Sequence, residues 1–249
     1  LISYGEAALD RAEFPIDALA HRQRLSLGEV TLEARATPGH TPESISIVVY
    51  EHTGDSEPYG VLTGDTLFIG DVGRPDLLTS VGVSADQLAG QLYRSLQEEL
   101  LTLPDATRVY PAHGAGSACG KNLSSETVST VGGQRPYNYA LQPMSEDEFI
   151  RAVTEGQTAA PLYFAFSASR NMQVRPLLDE TVAPTPLGME DVLAAQRDGA
   201  LLVDARAAQE FALGHLVGSV NVGLEGRFAE DAGDVIRPDQ AVILIAASD

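Results

Sequence analysis

Between Gly64 and Arg74 the chain places three glycines, two aspartates and an arginine, in GDTLFIGDVGR. One apolar run ends on Thr63-Gly64-Asp65; a second, Leu67-Phe68-Ile69, ends on Gly70-Asp71-Val72-Gly73-Arg74. Gly and Asp are ordinary turn residues, so a hairpin alone accounts for them. A metal site accounts for them as well, with Asp65 as a carboxylate ligand and Arg74 as a substrate anchor. Two histidines stand in comparable positions, His40 in TPGHT and His113 in YPAHG. Each follows strand-like sequence, and loops at the ends of rigid strands are where sites are built. Taken singly, each is read as a surface or hydrogen-bonding group. Taken together and in this order, the three point to metal binding.

The elements that must hold these residues are legible in outline. RLSLGEVTLEARA, residues 24–36, alternates in the manner of paired, half-buried strands. SISIVVY, residues 44–50, is a β-branched run, and residues 59–62 begin another strand. Residues 24–69 are therefore expected to form an antiparallel sheet of consecutive hairpins. Residues 84–103 have helical periodicity with Leu88, Leu92, Leu96 and Leu100 on one face. A short strand is expected at 107–110, and Ser145-Glu146-Asp147-Glu148 is a capping box that opens a helix. This layered α/β domain is expected to span residues 1–160. Residues 161–186, with four prolines, read as an irregular linker. From 187 to 249 short strands at 201–204, 219–222 and 242–245 alternate with helices at 188–197 and 209–213, which suggests a parallel sheet.

The totals exclude several functions. Lys+Arg is 16 against 35 for Asp+Glu, giving a formal charge of −19, which argues against nucleic acid and anionic membrane as partners. No apolar run approaches the ~20 residues that span a bilayer. Lys121 is the only lysine, and no function is drawn from that. The single cysteine, Cys119, excludes an internal disulfide framework and fits a reducing cytoplasm.

TPGHT, TGDTLF and PAHG, in that order, resemble the metallo-β-lactamase superfamily, an αββα sandwich with its metal site at one edge. The resemblance covers roughly residues 1–145. Within the superfamily GDTLFIGDVGRPDL and the later SACGKNLSSETVSTVGGQRPYNYALQPMSEDEF are similar to the persulfide dioxygenases, most of all the branch fused to rhodanese modules. Independently, LLVDARAAQEFALGHLVGSVNV, residues 201–222, resembles the first half of a rhodanese module, in which His215 is expected to be a packing residue.

The resemblance implies one ferrous iron, with zinc as the alternative, held by two His and one carboxylate. His40 and Asp65 match two of those ligands. Arg74 matches the arginine after the metal loop and is expected to hold a glutathione carboxylate at the mouth of the site. His113 matches the second-metal ligand of the dinuclear hydrolases; in a mononuclear dioxygenase it is expected to support the site by hydrogen bonding. Asp71, and with it Asp76, is expected to cap or brace the loop.

Two departures from the family qualify this. The superfamily's HxHxDH segment is absent, His21 standing alone, so the chain is expected to be a fragment whose remaining ligand lies upstream. After residues 241–245, where an active rhodanese carries its cysteine, the sequence reads Ala246-Ala247-Ser248-Asp249; a partial, catalytically silent module is expected. Cys119 has two readings: a reactive thiol whose pKa is lowered by Lys121 and a helix N-terminus, or, as favoured here, a small packed loop residue.

Three functions are thereby set against one another. The first is a persulfide dioxygenase oxidising glutathione persulfide, or another low-molecular-weight thiol persulfide, to sulfite. The second is a glyoxalase II-like thioester hydrolase with two metals. The third is a non-catalytic module that docks sulfur-transfer partners, with self-association left open.

Overall fold

The computed structural model describes residues 3–79, 82–176, 178–179 and 181–247. The chain divides into two compact units, Leu1–Ala160 with Asn171–Val174, and Pro161–Arg170 with Arg175–Asp249.

In the first unit β1 (Ser3–Gly5) pairs in parallel with β2 (Asp17–Leu19). A second sheet runs in chain order through β3 (Arg24–Leu27), β4 (Val30–Ala36), β5 (Ile45–Tyr50), β6 (Gly60–Gly64), β7 (Arg108–Pro111) and β8 (Ser129–Thr130). The first four strands pair antiparallel by successive hairpins, as their alternation predicts. β7 then joins β6 in parallel, because a helix carries the chain back across the sheet before it enters. The expected sheet is shorter at one point: β6 ends at Gly64, and Leu67, Phe68 and Ile69 lie in a loop. They read as strand because they are apolar, and they are apolar because they plug the core, at 1%, 0% and 4% exposure.

Ser84 caps α1 (Ala85–Arg94), accepting a bond from the Gln87 amide. The helix continues through a wider π-type turn at Ser95–Leu100. A spacing of four residues drifts by about 40° per turn on an ordinary α-helix, and a wider turn reduces that drift. Leu88, Leu92, Leu96 and Leu100 thus all stay buried. After α2 (Val131–Tyr137), the expected capping box between Ser145 and Glu148 opens α3 (Glu146–Thr154). The core forms where α1 and α3 meet Val48, Tyr50, Val61 and Val109 of the sheet, with the Tyr93 and Phe149 rings 5.3 Å apart.

The second unit is a parallel sheet in the order β10 (Val220–Asn221), β9 (Leu201–Asp204), β11 (Val242–Ile245), close to the strands expected. α5 (Met189–Arg197), α6 (Ala208–Leu213) and α7 (Phe228–Val235) alternate with its strands. Val203, Val222 and Ala232 form its small core. His215 lies flat on Phe211, ring centroids 3.9 Å apart, and is otherwise exposed. In the segment expected to be an irregular linker, Phe164–Asn171 form a further helix, α4. The prolines that suggested irregularity lie outside it, and Tyr163 just before it lies close to Gly233 of α7. Ser248 and Asp249, in the loop where an active rhodanese carries its cysteine, lie outside the described residues. Among the described residues no helix is long and apolar enough to cross a membrane.

Candidate metal centre

β4 and β6 both run antiparallel to β5, so they run parallel to each other, and β7 runs parallel to β6. All three strands therefore end at the same edge of the sheet. His40 lies beyond β4, Asp65 directly follows β6, and His113 follows β7. Three residues separated by 25 and 48 positions in the sequence meet because of strand direction alone.

Hydroxyl groups fix the first two loops. Thr66 Oγ1 donates to Thr37 Oγ1 at 3.0 Å, Thr37 Oγ1 lies 3.0 Å from Ser46 Oγ, and Thr63 Oγ1 donates to the Leu67 carbonyl at 2.6 Å. All four side chains are fully buried. From the helix side, Ser95 Oγ, at the start of the π-type turn, donates to the Pro38 carbonyl at 2.7 Å. Two glycines permit the closest approaches. A Cβ on Gly39, whose φ is +152°, would come 2.5 Å from Leu92 Cβ. A Cβ on Gly73 would sit 1.9 Å from the Asp65 carbonyl oxygen and 3.0 Å from His40 Nδ1.

His40 is buried, and its Nδ1 lies 2.9 Å from the Arg74 carbonyl. A carbonyl only accepts, so Nδ1 carries the proton and Nε2 presents its lone pair to the site. Burial pushes the imidazole below its ordinary range, although Asp65 and the Arg74 carbonyl act the other way. The neutral ring is the form that binds metal. His40 Nε2 lies 3.8 Å from Asp65 Oδ1, and His113 Nε2 lies 3.1 Å from the same oxygen. Asp65 Oδ1 is shielded from solvent and accepts no aligned hydrogen bond. A shielded carboxylate oxygen without a donor, facing an imidazole lone pair, is a setting that a divalent cation completes. The residues present fit a metal on this ground.

The site also includes a residue that the sequence left without a role. The ligand atoms of His40, Asp65 and Cys119 all lie within 4.8 Å of one another. The reading of Cys119 as an activated thiol is corrected here. Burial pushes its pKa up, Ser117 opposes this, and Asp65 adds to it. The Lys121 ammonium does not serve the thiol; it donates to the carbonyls of Ala152, at 2.6 Å, and Glu155.

Arg74 is also corrected. It was expected at the mouth of the site, yet the whole residue is buried. Its guanidinium grips Asp76 through two bonds of 2.7 and 2.8 Å and donates to the carbonyls of Thr158 at 2.6 Å and Ala118 at 3.3 Å. Its amide donates to the Cys119 carbonyl at 2.9 Å. Arg74 is thus the joint between the metal loop and the Cys119 loop, consistent with the preference of its planar fork for a carboxylate. Burial opposes the charge of Asp76, but Arg74 outweighs it and holds the carboxyl below the usual range. Asp71 braces the same loops as expected: it is fully buried and accepts from the amides of Val72, Lys121 and Asn122 at 2.8, 2.6 and 2.7 Å. The hydroxyls of Thr37, Ser46, Thr63 and Thr66 were missed; the one available signal was that Thr37 opens TPGHT and that Thr63 and Thr66 flank Asp65 in TGDT.

Residues 189–249 match the Rhodanese-like domain. Over 149 residues, 60% of this chain, the sequence is 32% identical to the Homo sapiens protein "Persulfide dioxygenase ETHE1, mitochondrial", and covers 50% of it. The chain spans about half the length of the curated relatives it matches. Among solved structures, a metallo-β-lactamase from Staphylococcus aureus superposes with a TM-score of 0.79 at 31% identity, covering 93% of this chain and 64% of the other. ETHE1 from Myxococcus xanthus superposes with a TM-score of 0.52 at 27% identity, covering 66% of this chain and 63% of the other. The expected architecture holds: the chain carries a metallo-β-lactamase fold similar to that of ETHE1, joined in sequence to a rhodanese-like domain.

Proposed function

We propose that this chain is part of an iron-dependent enzyme that oxidises a low-molecular-weight persulfide, such as glutathione persulfide. One persulfide, one O₂ and one water would give one thiol, one sulfite and two protons. The observation that carries the reading is the shielded, undonated Asp65 oxygen beside the His40 Nε2 lone pair, at the edge where β4, β6 and β7 end. The likeness to proteins named persulfide dioxygenases supports it. His40 and Asp65 would hold the metal. A bound ferrous ion would supply open positions for substrate sulfur and O₂.

The remaining residues serve that pair. The Arg74 carbonyl fixes the His40 tautomer. The Arg74 guanidinium, engaged with Asp76, fixes the loop. His113 is 41% exposed, and its Nε2 lies 3.1 Å from Asp65 Oδ1. Oxygen uptake by protein purified anaerobically with ferrous iron, on addition of glutathione persulfide, tests the reading. Uptake should fall by about 100-fold or more in His40→Ala and Asp65→Ala, since a centre that loses a ligand loses both metal and geometry.

One observation favours a second reading. His113 Nε2 lies 3.1 Å from Asp65 Oδ1, so His113 would be placed to hold a second metal beside the one that His40 and Asp65 would hold, as a dinuclear thioester hydrolase would require. Rapid hydrolysis of a glutathione thioester without O₂ consumption, lost in His113→Ala, would move the assignment there.

A further inference from the structure

We infer that Cys119 is a metal-binding thiolate, so that this chain supplies a His40–Asp65–Cys119 donor set by itself. The inference rests on the proposed metal centre and adds to it a ligand of a different chemical class.

The geometry is specific. The donor atoms of the three residues lie within 4.8 Å of one another, about 1 Å wider than neighbouring ligands on an ion with bonds of about 2.0–2.3 Å, so a small closure brings them onto one cation. One of them, Asp65 Oδ1, is shielded from solvent without an aligned hydrogen bond, and it lies 3.8 Å from Nε2 of the buried His40. Cys119 is held in place by its backbone. Its carbonyl accepts from the Arg74 amide at 2.9 Å and its own amide donates to Ser117 Oγ at 3.1 Å. The Arg74 peptide thus reaches both sides of the set, its carbonyl bonding His40 and its amide bonding the Cys119 carbonyl. His113 touches Asp65 but is not part of this close group. A nitrogen, oxygen and sulfur set of this kind prefers borderline or thiophilic ions such as Zn²⁺ and Co²⁺ over hard ions. On binding, the Cys119 S–H bond breaks, the proton passes to solvent, and the sulfur pair forms the bond to the metal.

The chain has no other cysteine, so every thiolate signal reports Cys119. The test is a titration of the purified 249-residue chain with Co²⁺, read by near-ultraviolet sulfur-to-cobalt charge-transfer absorption. A parallel assay follows the rate at which iodoacetamide alkylates Cys119, with and without metal. The inference expects a charge-transfer band that saturates at one equivalent, is lost in Cys119→Ser, and coincides with protection from alkylation. Affinity should fall by at least roughly 10-fold in Cys119→Ser. The alkylation assay uses the unaltered protein, so it stands even if the variant folds poorly. Co²⁺ that binds without a band and without protection, and whose binding is lost in His40→Ala, overturns the thiolate and leaves the metal centre standing. No saturable Co²⁺ binding overturns both.

Discussion

Gly73 is where the site has the least room to change. A methyl group there would overlap the Asp65 carbonyl oxygen and press on His40, so Gly73→Ala must separate the two donors. Metal affinity should drop by about 10–100-fold, measured by Co²⁺ titration, while far-UV circular dichroism changes little. Arg74→Lys is a second test at this scale. One ammonium cannot replace the paired bonds to Asp76, so stability should fall by about 1–3 kcal/mol in chemical denaturation. His40, Asp65 and His113 were legible in the sequence because turn residues isolate them and strand-like runs precede them. Cys119 was not, since its partners lie 54 and 79 positions away and tertiary bonds from Asp71 and Arg74 bring its loop to them. The depth of Arg74 was equally hidden, because an arginine after a glycine turn looks the same in sequence whether it faces solvent or Asp76.

The strands and helices were mostly legible, and two exceptions have separate physical causes. Alternation gave β3 and β4, the β-branched run gave β5, and the Ser145 box gave α3, because those signals are local. Residues 67–69 were misread because burial in a loop and burial in a strand select the same side chains. α4 was missed because nearby prolines masked an eight-residue helix. Ser145→Ala should cost about 1 kcal/mol by removing the bond from the Glu148 amide to Ser145 Oγ, while the backbone N–H of residue 145 keeps its bond to the Glu148 carboxylate. In the second unit, Asp204 at the end of β9 is fully buried and accepts three bonds from the Arg206 guanidinium. Those bonds hold its carboxyl below the ordinary 3.8 against the effect of burial. A carboxyl lowered by folding stabilises the fold above its unfolded pKa, and that contribution disappears as pH falls through the folded value. The second unit should therefore lose stability below about pH 4, and Asp204→Asn should flatten that dependence in melts taken from pH 6 downward.

Across the whole chain the formal charge is −19, and a glutathione persulfide is itself an anion. Encounter between them is opposed at low salt and eased by screening. If the proposed activity holds, kcat/KM should rise with ionic strength, whereas kcat at saturation should not. The scaffold beneath that chemistry has a property of its own. The loops that carry His40 and Asp65 are tied by threonine and serine hydroxyls, none of which ionises in the accessible pH range. Neither acid nor salt acts directly on those ties. A pH–rate profile for this protein would then be read as a titration of metal ligands, of substrate and of the Arg74–Asp76 joint, with the hydroxyl ties acting as a constant.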